Sequence, residues 1–127
     1  MPSEKYFGLD NITGRKGIFT PPGTREQTEA SSATPTPASD STDIYTITAL
    51  AEAATFAVPT GTPIQGQKLI IRIKDNGTAR ALAWNAIYVS RGATLPNTTV
   101  TSKYVYIGLI YNSTTTTWDC VAVAQEA

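Results

Sequence analysis

Along residues 68–74 hydrophobic and polar side chains alternate: Leu69, Ile71 and Ile73 fall on one face of an extended chain, Lys68, Arg72 and Lys74 on the other. A period of two is the mark of a half-buried β-strand. The same reading predicts strands over residues 43–50, 55–58, 80–84, 86–90, 103–111 and 117–124, each rich in β-branched or aromatic residues and bounded by Gly, Pro, Asn or Thr. In residues 103–111, Val105, Ile107, Leu109 and Tyr111 share one face and Tyr104, Tyr106 and Ile110 the other. Both faces carry apolar groups, as in a central strand or one that meets another subunit.

Asp75-Asn76-Gly77 follows the alternating strand directly, and Asn-Gly tolerates the positive φ of a tight turn. This predicts a hairpin turn at Asp75, Asn76 and Gly77, with residues 80–84 pairing back antiparallel. Strand and turn signals recurring about every ten residues describe an all-β domain, a small antiparallel β-sandwich or barrel of jelly-roll type.

The first forty residues have no such period. Gly8, Gly14, Gly17 and Pro21-Pro22-Gly23 break any regular element, yet Tyr6, Phe7, Leu9, Ile12, Ile18 and Phe19 space apolar groups every few residues. That spacing suits a strip that docks on another surface. The expected organisation is an extended anchoring arm over residues 1–29, a Ser/Thr/Pro linker over residues 30–42 and the β domain over residues 43–127. Deleting residues 1–40 is then expected to leave a folded domain.

A length of 127 residues accommodates one core. Ten basic and ten acidic residues cancel, so no net field draws the chain to nucleic acid or to an anionic membrane, and neither is expected as a partner. Charged residues make up 16% and Thr is frequent, which favours strands over helices. The start of the chain lacks the apolar run of a signal peptide, and no apolar run is long enough for a membrane helix.

There is no histidine and a single cysteine, Cys120, so neither an intrachain disulfide nor a Cys/His metal site can form. His-dependent nucleophilic catalysis is excluded on the same ground, and the carboxylates of the domain are scattered. No enzyme activity, catalytic residue, metal or cofactor is expected. Cys120, inside an apolar strand, reads as a small buried hydrophobe. Lys68, Arg72, Lys74 and Arg80 read as a solvated face before an anion-binding strip. Among the aromatic residues Tyr45, Tyr88, Tyr104, Tyr106, Tyr111, Trp84 and Trp118, core and interface packing is the leading use and stacking on a glycan or receptor the lesser one. A core of this size without disulfide or metal is marginal, so a homo-oligomer is expected, a trimer in particular. The candidate interface is Tyr104, Tyr106, Ile110 and Trp118.

Gly66-Gln67-Lys68-Leu69-Ile70-Ile71-Arg72-Ile73-Lys74-Asp75-Asn76-Gly77-Thr78-Ala79-Arg80-Ala81-Leu82-Ala83-Trp84-Asn85, with Gly92-Ala93-Thr94-Leu95-Pro96, Tyr106-Ile107-Gly108-Leu109-Ile110-Tyr111-Asn112 and Trp118 to Glu126, resembles a C-terminal β module of tailed-bacteriophage and prophage minor structural and tail-fibre proteins. The resemblance implies a place in the virion, reached by assembly in the host cytoplasm, and carries no active site to transfer. With the leading segment it gives the expected function: a capsid decoration, cement or head-fibre protein held by its arm to other virion proteins, the major capsid protein first among them. The alternative is a tail-fibre or baseplate appendage that binds the host surface.

Overall fold

The structure, a computed structural model, describes residues 23–127. Eight strands follow one another with no helix among the described residues: β1 (Glu26–Glu29), β2 (Ile44–Leu50), β3 (Ala54–Phe56), β4 (Lys68–Asp75), β5 (Leu82–Trp84), β6 (Tyr88–Ser90), β7 (Val105–Asn112) and β8 (Thr117–Gln125). Six form one sheet in the order β1-β2-β4-β7-β8-β6, and β3 pairs with β5 in a second, two-stranded sheet. The fold is β throughout, as the alternation predicts, but it is mixed rather than antiparallel. β4–β7 and β7–β8 are antiparallel, whereas β1–β2, β2–β4, β3–β5 and β6–β8 are parallel.

The core lies between the six-stranded sheet and the β3–β5 pair. Tyr45, Ile47, Leu69, Ile71, Ile73, Val105, Ile107, Leu109, Trp118 and Cys120 point from the large sheet into it, and Leu50, Phe56, Leu82 and Tyr88 complete it. Full burial of each such side chain contributes about 1.5–3 kcal/mol before entropy is counted. Phe56 stacks on Trp84 at 4.3 Å and meets Tyr45 and Tyr88 edge-on at 6.3 Å, an aromatic wedge that seats the small sheet on the large one. Trp118 is buried in this core against Tyr111, 5.2 Å between rings. It therefore leaves the candidate interface: two-residue parity along β8 puts it with Cys120 and turns Asp119 to the opposite face.

The expected hairpin at Asp75-Asn76-Gly77 does not form. Both edges of β4 are already taken, by β2 and β7, so no position remains beside it for residues 80–84. Gly77 does take a positive φ, +107°, but the chain then runs to Arg80 and Ala81, which pair with Thr99 and Thr98 in the loop before β7. The Asp75 carboxylate accepts bonds from Gly77 N (3.0 Å), Ser102 N (2.8 Å) and Thr99 Oγ1 (2.7 Å). Ala81 bridges Thr98, and β5 then pairs with β3.

The domain boundary expected at residue 43 also moves. Glu26–Glu29, placed in the arm for want of periodicity, is a parallel edge strand on β2, and the Arg25 carbonyl just before it accepts from Asp43 N and Ile44 N. Residues 30–42, expected to be a linker, are extended but docked: the carbonyls of Ala33, Pro35 and Pro37 accept from Thr55, Ala57 and Thr60 N at 2.9 Å. Pro35, Pro37 and Ser39 are buried in alternation, as in a strand. Proline supplies no donor, so this edge pairs through accepting carbonyls and presents little to an incoming strand. A deletion through residue 40 removes β1 and this edge, and is expected to damage the fold.

Candidate interaction surface

One face of the six-stranded sheet packs on the core. The other is open among the described residues, and strand register places its side chains in rows. Ile44 pairs with Ile70, Ile70 with Gly108 and Gly108 with Ala122, a continuous apolar row across four strands. The next row is Thr46, Arg72, Tyr106 and Ala124, and on the other side Lys68 pairs with Ile110 and Ile110 with Asp119. Ile70 and Tyr106 are 42% and 39% exposed, unusual for large apolar side chains in mid-strand.

Gly108 makes the middle of this face flat. A Cβ built there would meet only Ala122, at 3.5 Å, so Gly108 and Ala122 form a trough between the ridges of Tyr106 and Ile110. Past Ala122 the ladder shifts register at Gly108/Leu109, leaving Val121 as the extra residue of a bulge.

Cations outnumber carboxylates on the face, and the charge is partly paired. Arg72 lies 3.9 Å from Glu26, with its guanidinium 4.7 Å from the Tyr104 ring and 5.8 Å from that of Tyr106; Lys74 Nζ lies 5.4 Å from Tyr104. Thr46 donates to Glu26 at 2.7 Å and is fully buried beneath this group. Asp119 lies 3.2 Å from Arg91 Nε and accepts from Thr117 Oγ1 (2.7 Å) and Asn112 Nδ2 (3.3 Å). Burial alone would raise its pKa, but these hydrogen bonds and the Arg91 charge hold it below the usual carboxylate range.

At the lower end of the face an open depression of about 640 Å³ is lined by Thr24, Asp43, Ile44, Gly66, Lys68 and Ile70. Beside it Arg25 clamps Asp43: its guanidinium donates to Oδ1 at 2.8 Å and Oδ2 at 3.2 Å, and its backbone N to Oδ2 at 3.0 Å. Those bonds lower the Asp43 pKa to about 2. The clamp fixes the start of β1 beside β2.

Of the residues expected to act, Tyr104, Tyr106 and Ile110 are brought together on the open face, joined by Lys68, Arg72 and Lys74. Arg80 is elsewhere, donating to Asn76 at 3.0 Å. Tyr45, Tyr88, Tyr111 and Trp118 are core residues and the partly buried Trp84 packs against them, whereas Tyr104 and Tyr106, rings 6.3 Å apart, present aromatic surface on the open face. Tyr6, Phe7, Leu9, Ile12, Ile18 and Phe19 lie outside the described residues. Ile44, Ile70, Gly108 and Ala122 were not singled out from sequence. Parity alone places Ile70 with Lys68 and Arg72, and that was the available signal. Among the described residues no group of three or more His, Cys, Asp or Glu side chains is placed to hold a metal ion. No family model, curated protein or solved structure matches this chain.

Proposed function

We propose that this chain is a structural protein of a tailed-bacteriophage virion, a capsid decoration or head-fibre protein without catalytic activity. In this reading the residues before Gly23 anchor it to another virion protein, the major capsid protein first, and the β domain, a small sandwich of the six-stranded sheet and its β3–β5 layer, is displayed in more than one copy. What carries the proposal is the resemblance, read from the sequence over about residues 44–127, to a C-terminal β module of tailed-phage structural proteins.

Two features of the structure support a mechanical role. Residues 23–25 run straight into the Arg25–Asp43 clamp and β1, so a load on the leading residues passes into the sheet through a hydrogen-bonded strand rather than a slack tether. Anchoring through apolar side chains spaced along an extended segment adds buried area and backbone pairing on the partner, and several copies on one particle raise avidity without stronger single contacts. The proline edge of residues 33–38 and the charged edge strand β1 discourage strand-to-strand aggregation at high local concentration.

Imaging of purified particles tests the reading. Density for the domain on the icosahedral shell is the expected result. Density confined to the tail would replace it with the host-binding appendage, for which Tyr104 and Tyr106 are the residues to probe with glycans. Absence from particles would refute both.

A further inference from the structure

We infer that the open face of the six-stranded sheet is a self-association surface, and that its partner is a second copy of this chain related by a two-fold axis lying in the face, along the strands, between β4 and β7. The inference deepens only the multi-copy part of the proposed function and does not depend on what the leading residues bind.

The face matches itself. Such an axis lays β4 of one copy over β7 of the other and β2 over β8, and keeps each row opposite the same row. Ile70 then stands over Gly108 of the partner copy and Ile44 over its Ala122, so large side chains meet the flat trough that Gly108 and Ala122 create. In the next row Arg72 stands over the partner copy's Tyr106, extending the cation–π contact it already makes within its own chain. Lys68 comes one strand away from the partner copy's Asp119, an attraction at a distance rather than a direct pair, because that carboxylate is already held by Arg91, Thr117 and Asn112.

The size is sufficient. Five strand widths of about 4.8 Å and eight residues at about 3.3 Å give a face of roughly 24 by 26 Å, on the order of 600 Å². Two such faces bury about 1,200 Å², the lower end of specific, stable interfaces. The row pairing favours a two-fold contact over the trimer expected from sequence, because it needs the same patch on both partners.

The full chain is tested by sedimentation equilibrium at tens of micromolar. The expected mass is twice the 13.5 kDa of the chain. Ile70→Glu and Ala122→Arg, both at positions exposed in the single copy, are each expected to raise the dissociation constant about thirtyfold or more, the cost of an interface hot spot. Val100→Glu, equally exposed but in the loop before β7, leaves the mass unchanged. Far-UV circular dichroism and the thermal midpoint establish that each variant is folded, and two variants on different strands guard against one failing. A monomeric or trimeric wild type, or a dimer that neither Ile70→Glu nor Ala122→Arg weakens, would overturn the inference. Loss of the dimer with normal particle incorporation would leave the anchoring proposal standing, and the converse would leave this one.

Discussion

Replacing Asp75 with Ala removes the acceptor at which three segments meet: the end of β4, the Gly77 turn and the loop holding Thr99 and Ser102. Asp75 and Thr99 are each 2% exposed, whereas Gly77 and Ser102 are exposed. In the variant the two exposed amides turn to water at modest cost, but the Thr99 hydroxyl loses its acceptor inside the protein and keeps only the bond its oxygen accepts from Arg80 N at 2.8 Å. A charged hydrogen bond contributes about 1.5–3 kcal/mol and an unsatisfied buried group costs about 1–3 kcal/mol. With overlap between these terms the expected loss is about 3 kcal/mol, a large share of the 5–15 kcal/mol typical of a domain. Asp75→Asn keeps one carbonyl oxygen and loses about half as much. Burial would raise the Asp75 pKa, but bonds from Ser102, Thr99 and Gly77 and the charge of Arg80 lower it overall. Its contribution is therefore present above the ordinary carboxylate range and lost as pH falls through the depressed folded value. Urea unfolding at neutral pH reads the effect as a lower midpoint at unchanged slope. A loss below about 1 kcal/mol for Asp75→Ala would refute the view that this carboxylate fixes the turn.

Other consequences are as direct. Burial of the fully enclosed Cys120 raises its thiol pKa, so a disulfide reagent is expected to leave the native protein unlabelled and to react stoichiometrically in urea; rapid native labelling would contradict the burial. Gly77→Ala meets no atom within 4 Å, so its cost is backbone strain at φ +107° alone, about 1–2 kcal/mol, measured by thermal unfolding. Asp43 has a folded pKa near 2 against an ordinary 3.8. Its contribution is complete above 3.8 and fades as pH drops toward 2; because its side chain is 42% exposed the effect is under about 1 kcal/mol, seen as a flatter acid limb in Asp43→Asn.

The strands that a reader of the sequence finds are those whose side chains alternate between oil and water. β2, β4, β7 and β8 fall within a residue or two of the runs predicted for them, since burying one face imposes the period. β1 carries no such signal: Glu-Gln-Thr-Glu is held by backbone pairing to β2 and by polar contacts from Glu26 and Gln27, with nothing apolar to betray it. Residues 33–38 read through their prolines as a linker, yet proline is compatible with an edge that pairs with its neighbour through the carbonyls of Ala33, Pro35 and Pro37 while Ala38 N donates to Gln27. Connectivity was the larger gap. An Asn-Gly turn signals reversal but does not choose the neighbour, and here long-range pairing of β4 with β2 and β7 outcompeted the local hairpin. On the open face, Tyr104, Tyr106 and Ile110 were legible as a second apolar face of one strand. The trough beside them required register across four strands, which no single strand reveals.

The proposed division of the molecule into an anchoring lead and a displayed domain is tested most directly by cutting just ahead of the Arg25–Asp43 clamp and β1. Residues 23–127, which retain the Arg25 clamp and β1, should fold with the thermal midpoint of the full chain and yet be absent from assembled particles. Incorporation of that truncated chain at the level of the intact one would contradict the account.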